Sequence, residues 1–294
     1  VKLGFHDEAS GSDDVGLTRE MFAETPRRLT LAPHNRANMR HWDATVTHEH
    51  RFDAATLKTI AFAYTLRREW GRQAFDRFPQ RGTDYERVLG DVSVEGGAIY
   101  FREESNILDR SYDVAGLEPR VDVRVATGPV GHTISAGARV IGEDAQYLQR
   151  RATDPDSLAG ELTLDESRST IAFASYLQDR LAVADDLLLV TPGLRFEYAR
   201  YDYHVAREPT SEGGRDVDLR SGSEVATAIP GIGVTAGTPD MHGFAGAHMG
   251  FAPPRAAGSI RANAPSLELA AERSMAYELR ARVRSAQGWR AEAT

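Results

Sequence analysis

Residues 117–126 read LEPRVDVRVA, and this stretch decides the fold. Leu117, Pro119, Val121, Val123 and Val125 alternate with Glu118, Arg120, Asp122 and Arg124. Successive side chains of a β-strand point to opposite faces, so the stretch is a strand with one apolar and one charged side. The pattern recurs along the chain. LLLVTPGLRFEYA (187–199) sets Leu188, Val190, Pro192, Leu194, Phe196 and Tyr198 against Thr191, Gly193, Arg195 and Glu197. LKTIAFAYTLR (57–67) sets Ile60, Phe62, Tyr64 and Leu66 against Thr59, Ala61, Ala63 and Thr65. YELRARVRS (277–285) sets Tyr277, Leu279, Ala281 and Val283 against Glu278, Arg280, Arg282 and Arg284. TIAFASYLQDR (170–180) opposes Ile171, Phe173 and Leu177 to Ala172, Tyr176, Gln178 and Arg180, with Ser175 out of pattern.

The connections alternate in length. RFDAATL, ATGPVGHT, AVADDL and AGTPDMH are tight turns rich in Asp, Pro and Gly. Between them lie polar stretches at 6–38, 68–112, about 149–168, 205–224 and 252–274, read as long loops. GLTREMFAE and LELAAERS are short helix candidates within them. Short turns at one end and long loops at the other, joining strands of about ten residues, is the plan of an antiparallel transmembrane β-barrel. Aromatic residues near strand ends (Trp42, Trp70, Tyr198, Tyr201, Tyr203) fit interfacial girdles. A soluble sandwich, with its apolar face packed inward, is the alternative that the alternation leaves open.

Composition narrows the function classes. The 294 residues carry a net charge of −8, with Lys+Arg 35 spread along the chain, so no basic footprint for nucleic acid is visible. Zero cysteines exclude disulfides, thiolate metal sites and cysteine nucleophiles. No Gly-x-Ser-x-Gly elbow, P-loop or dinucleotide fingerprint occurs, so neither enzyme chemistry nor a cofactor is expected. The chain starts VKLGF and ends WRAEAT, which reads as the interior of an element at both ends. An internal fragment of a longer protein is therefore expected.

Several residues of TPGLRFEY (191–198), GFAPP (250–254) and AERSMAYELRARVRS (271–285) carry a family resemblance. In this order they resemble the "PGLR-aromatic-E", "GFAPP" and "E-K/R-S-x-x-Y-E-L-G-x-R" segments of TonB-dependent outer-membrane receptors. KLGFHDEASGSDDVGLTREMFAETPRRL (2–29) resembles a "GLT-x-x-x-F-x-x-x-P-x-R" loop of receptors akin to the ferric dicitrate group. YLQDRL (176–181) is similar to the family's "F-V-Q/E-D" strand. Arg280 departs from the pattern, standing where the family has Gly. The resemblance implies an all-β fold, with residues 1–294 forming about half of a 22-stranded transmembrane barrel. Long loops would face outward from the cell and short turns the periplasm, and the plug domain, the TonB-contacting box and the final strands would lie elsewhere.

The implied function is active uptake of a ferric chelate, siderophore or citrate-like, with energy from TonB and no chemistry on the cargo. Outer-membrane lipid and lipopolysaccharide would be the surrounding partners. A passive porin is the alternative within the membrane, and a carbohydrate-binding or hydrolase sandwich the soluble one.

Candidate site residues follow from the strand faces. In HWDATVTHEHRFD (41–53), Trp42, Ala44, Val46, His48, His50 and Phe52 share a face taken as lipid-side, which puts the two histidines in the girdle rather than in a metal site. His6-Asp7-Glu8 and Asp13-Asp14 read as solvated loop acids without EF-hand spacing. Arg67, Arg120, Arg124, Arg195, Arg280, Arg282 and Arg284 are expected on the lumen face, mostly paired with acids. Arg67 and Arg68 stand where a strand opens into a long loop, and are the candidates for drawing in an anionic chelate. GIGVTAG (231–237) reads as a strand whose small residues let another part of the protein approach the wall.

Overall fold

A computed structural model describes residues 1–11, 15–27, 32, 34–252, 271–285 and 287–294. It contains β1 (Lys2–Gly11), α1 (Arg19–Glu24), β2 (Arg36–Arg51), β3 (Ala55–Asp76), β4 (Tyr85–Gly90), β5 (Ala98–Thr127), β6 (Val130–Ala152), β7 (Glu161–Val183), β8 (Leu188–Thr210), β9 (Gly213–Gly237), β10 (Met241–Ala252), β11 (Glu272–Arg284) and β12 (Arg290–Ala293). The twelve strands belong to one antiparallel sheet in chain order, except that β4 sits off the path against β5. A single open sheet is a partial barrel. It sets aside the sandwich, which needs two packed sheets.

Residues directly opposite each other in a ladder share a face, so the register sorts every side chain. Val114, Ser135, Ala174, Ala199, Val225 and Thr227 are buried and fall on one face. Leu117, Val140, Ile171, Leu177, Leu194, Ile232 and Leu279 are exposed and fall on the other. A curved sheet crowds its concave side, so the first face is the inner wall and the second the outer. The outer face carries a mostly apolar belt from Val125 to Leu117 on β5, matched by His132 to Val140 on β6 and Leu181 to Ile171 on β7, with Asp179 at its turn end paired to His132 at 2.7 Å. Directly above it the same face turns polar on β2, β3 and β5 to β9, at Arg40, Arg67, Asp113, Asp144, Ser169, Arg200 and Glu224. A belt about nine residues tall, ending at one level, is what a bilayer core requires of strands. No described helix is long and apolar enough to cross a membrane.

The register corrects one expected face. Ile60, Phe62, Tyr64 and Leu66 lie opposite Glu118, Gly116, Val114 and Tyr112, on the inner wall. Ala61 and Ala63 lie opposite Leu117 and Ala115, on the outer face. The larger apolar residues of β3 thus fill the lumen side: a Cβ added at Gly116 would lie 2.4 Å from the Phe62 ring, and Arg139 stacks over that ring at 5.9 Å. Hydropathy alternation gives the period of a strand but not its direction, and small alanines serve a lipid face as well as large residues do.

The expected long loops are also mostly strand. β6 runs to Ala152, β7 starts at Glu161, and β8 and β9 are joined by residues 211–212 alone. Beyond the bilayer both faces of a strand meet water, so the alternation fades while the ladder continues. Ion pairs Arg207–Asp216 and Arg215–Glu208 and a His204–Asp218 contact of 2.8 Å join β8 to β9 there. The short turns sit where the sequence put them. One of them, at Ala184, Asp185 and Asp186, has three successive positive φ values of 54°, 56° and 67°, a conformation aspartate tolerates better than most residues. Of the two helix candidates, GLTREMFAE contains α1, capped by Thr18, whose Oγ1 accepts from the Met21 N–H at 3.2 Å. In the other, residues 267–270 lie outside the described residues and Glu272–Ser274 open β11; Pro253 and Pro254 of GFAPP also lie outside them.

Above the belt, α1 closes over a small core of Val15, Met21, Ala32, Ile99 and Phe101, flanked by Leu17, Phe75 and Leu89. His34 braces this lobe: its Nδ1 lies 2.6 Å from Asp156 Oδ1, and its Nε2 lies 3.8 Å from Glu86 Oε1. His34 thus fastens three connections, and His34→Ala is expected to raise amide exchange at 153–160 with the belt strands unchanged. Equal protection in both proteins would show that the brace carries no load.

Candidate functional site

Three rows of inner-wall side chains lie above the belt, each crossing several strands. The top row is Met39, Arg68, Arg110, Tyr147, Glu166 and Val205. Beneath it run Leu66, Tyr112, Ala145, Arg168, Tyr203 and Ser221, then Tyr64, Val114, Glu143, Thr170, Tyr201 and Ser223. Strands about 4.8 Å apart with side chains alternating in direction make this a grid with guanidinium and phenol groups as neighbours.

Its contacts are specific. Arg110 stacks on Tyr147 at 4.3 Å and donates to the Tyr147 hydroxyl at 3.0 Å. Tyr203 donates to Glu166 Oε2 at 2.7 Å, Arg168 forms an ion pair with Glu166, and Arg168 also lies over the Tyr203 ring at 5.5 Å. A cleft of about 160 Å³ opens between Arg110, Tyr112, Glu143, Tyr147, Glu166 and Arg168. Glu166 neutralises Arg168. Arg68 and Arg110, directly opposite on β3 and β5, have no carboxylate partner among the described residues, and Arg68 Nε is buried without a hydrogen bond. Like charges directly opposite in a ladder destabilise it, and an anion bound between them removes that repulsion.

The two sequence candidates separate here. Arg68 faces the lumen. Arg67 points to the outer face just above the belt, where Asp113 accepts from its Nη2 at 2.8 and 3.1 Å. The reason is the reversed face of β3: odd residues of that strand look outward, so Arg67 is not on the lumen face. Of the other expected lumen arginines, Arg120 pairs with Asp122 at 3.0 Å, Arg195 with Glu197 at 2.5 Å and Arg280 with Glu292 at 3.4 Å. Arg124, Arg282 and Arg284 are on the same inner face.

Trp42 and Tyr198 take outward girdle positions, Trp42 against Phe5 at 4.1 Å between ring centroids. Trp70, Tyr201 and Tyr203 instead face inward. His48 and His50 stack in parallel on the outer face, and His50 meets the Phe52 ring at 4.5 Å, near the short turn. His6 and Glu8 share a contact of 3.3 Å on the inner face, whereas Asp7 turns outward to Arg40 at 3.2 Å. Asp13 and Asp14 lie outside the described residues. In GIGVTAG, Gly231, Gly233 and Thr235 face inward on β9.

Sequence reasoning missed Arg110, Glu166 and Arg168, which fall in stretches read as loop, and Tyr147 at the edge of one, while it assigned Tyr203 to the outer girdle instead of the lumen. The usable signal was parity: continuing the belt's alternation through the polar stretches assigns each of them to the inner wall.

A family model described as "TonB dependent receptor-like, beta-barrel" matches residues 5–294. Among solved structures, the ferric citrate transporter FecA in unliganded form superposes with a TM-score of 0.71 at 18% identity, covering 96% of this chain and 37% of that one. The closed form of the ferric-catecholate import receptor Fiu from K12 E. coli gives 0.65 at 14%, covering 87% and 40%. BauA, the ferric preacinetobactin receptor from Acinetobacter baumannii, gives 0.59 at 14%, covering 85% and 36%. At such identities the likeness shows the fold alone, and the chain spans well under half the length of each. No curated protein matches it in sequence.

Proposed function

Because the chain belongs to the TonB-dependent receptor-like β-barrel family, we propose that residues 1–294 are wall strands of an outer-membrane receptor importing an anionic ferric chelate, siderophore or citrate-like. Energy comes from TonB, acting through a part of the receptor outside these strands. The belt meets membrane lipid, and the polar collar above it, with Arg40 and Arg67, meets the sugar and phosphate groups of lipopolysaccharide. The supporting observation is the opposed, carboxylate-free pair Arg68 and Arg110 on the inner wall. Guanidinium groups suit carboxylate and phenolate oxygens, and stacked tyrosines beside them suit the flat organic part of a chelate. Arg68 and Arg110 contact the cargo, while Arg67, its charge largely answered by Asp113, adds only to the field at the mouth.

Replacing Arg68 and Arg110 together by Gln is expected to lower uptake of an anionic ferric chelate several-fold, with the larger loss at low ionic strength, since steering by exposed charge is screened by salt. Arg67→Gln should change uptake little. Radiolabelled iron uptake at equal receptor abundance reads both. Unchanged uptake in the double variant at both ionic strengths would remove the patch from the cargo's path.

A further inference from the structure

Just above the belt the outer face carries a trough of about 770 Å³. One row of the ladder crosses it from β3 to β9: Arg67, Ser111, Gln146, Ser167, His204 and Arg220. The next row down adds Asp144 and Ser169. With strands about 4.8 Å apart, Arg67 and Arg220 stand roughly 24 Å from each other at Cα. Long side chains at the two ends and short ones between them give the trough its shape. Arg67 holds Asp113 at 2.8 Å, and Arg220 holds Asp218 at 2.9 Å, yet each guanidinium side chain is more than half exposed. Asp202, another acid of the trough, is held by Arg200 at 3.1 Å. The middle is different. The hydroxyls of Ser111, Ser167 and Ser169 and the carboxylate of Asp144 have no hydrogen-bond or ion-pair partner among the described residues. Directly beneath lie Ala115, Gly142 and Ile171, then Leu117, Val140 and Phe173, so the polar floor passes into the belt without a break.

We propose that this trough seats the phosphorylated sugar headgroup of one lipopolysaccharide molecule, whose acyl chains lie on the belt below. The charge pattern selects such a headgroup. Guanidiniums at both ends suit phosphates, while the Asp144 carboxylate between them repels phosphate and accepts sugar hydroxyls. Serine hydroxyls and the Gln146 amide both donate and accept, as a hydroxylated ring requires. A phospholipid brings one phosphate and no sugar ring, and it would leave the polar groups of the floor without partners. The trough is on the outside of the wall, so nothing held within the barrel reaches it, and β3 to β9 lie away from the sheet's free edges at β1 and β12. The site rests on the outer-membrane placement proposed above and is independent of the cargo.

The test is native mass spectrometry of the delipidated full-length protein in detergent, titrated with deep-rough lipopolysaccharide and separately with phosphatidylglycerol. The expected result is a lipopolysaccharide adduct that forms at lower concentration than the phospholipid adduct. Ser111→Phe with Ser167→Phe fills the trough and should weaken lipopolysaccharide binding about tenfold or more, with phosphatidylglycerol binding unchanged. Ser111→Thr with Ser167→Thr keeps the hydroxyls and should bind within about twofold of the wild type. Heat-modifiable gel migration confirms that each variant is folded. If the Phe pair fails to fold, Arg67→Gln with Arg220→Gln carries the comparison, with a loss of similar size. Lipopolysaccharide affinity unaltered by these substitutions, or phosphatidylglycerol bound as tightly, overturns the site. Iron uptake at equal receptor abundance keeps the two readings apart, and the Phe pair should import chelate as the wild type does, since the trough faces away from the lumen. A protein that binds lipopolysaccharide here yet imports no chelate upholds the site and sinks the uptake reading.

Discussion

Leu177→Lys should strongly reduce the amount of folded barrel in the outer membrane, while Gln178→Lys should leave it near the wild-type level. The two residues are neighbours on β7 and so lie at nearly the same depth. Leu177 is on the outer face beside Leu194 and Ala136, 57% exposed in the sheet, in the middle of the apolar belt. A lysine there must hold its ammonium in hydrocarbon or bend it to the interface, at about 2–4 kcal/mol near the midplane. Gln178 is on the inner wall in the row of Asp122 and Ser135, where an ammonium finds water and a carboxylate. Heat-modifiable gel migration and surface abundance measure both variants. Equal damage from the two would mean that the faces are assigned the wrong way round.

Phe101→Ala should open the lobe above the belt without dissolving the barrel. Phe101 is fully buried with Ile99, Met21 and Val15, and its ring lies 6.2 Å from that of Phe75. Removing a buried phenyl costs about 3–5 kcal/mol, and the lobe has few other apolar contacts to absorb the loss. The segment carrying α1 is held by this core and by Thr18, whose hydroxyl donates to the Gly97 carbonyl at 3.2 Å. Protease added to intact cells should therefore cut the variant within 15–27 much faster than the wild type, with heat-modifiable migration retained. Unchanged resistance would show that this segment is held by something other than its apolar core.

The belt was legible because bilayer contact imposes a rule on alternate residues. LEPRVDVRVA and LLLVTPGLRFEYA obey it, and their faces stand as read. The rule fails in two places for one physical reason, that hydropathy reports the solvent a residue meets and not the direction it points. In β3 large apolar residues line a lumen while alanines face lipid, so Arg67 and Arg68 exchanged sides. Above the bilayer both faces are wet, so 149–168 and 205–224 read as loops although most of their residues are laddered strand. The candidate site lies in that second region; of its members only Arg68 was singled out as a site residue, and Tyr201 and Tyr203 were read as girdle aromatics.

By itself the sequence determined that the chain is antiparallel β, which ends of the strands carry short turns, where the belt lies on most strands, and which family it belongs to, since period, turn residues and motif order are local properties. The tertiary structure alone decided which guanidiniums meet. Arg68 opposes Arg110 across 42 positions of chain, because strand register, fixed by ladders between distant segments, sets every side chain's face and neighbours.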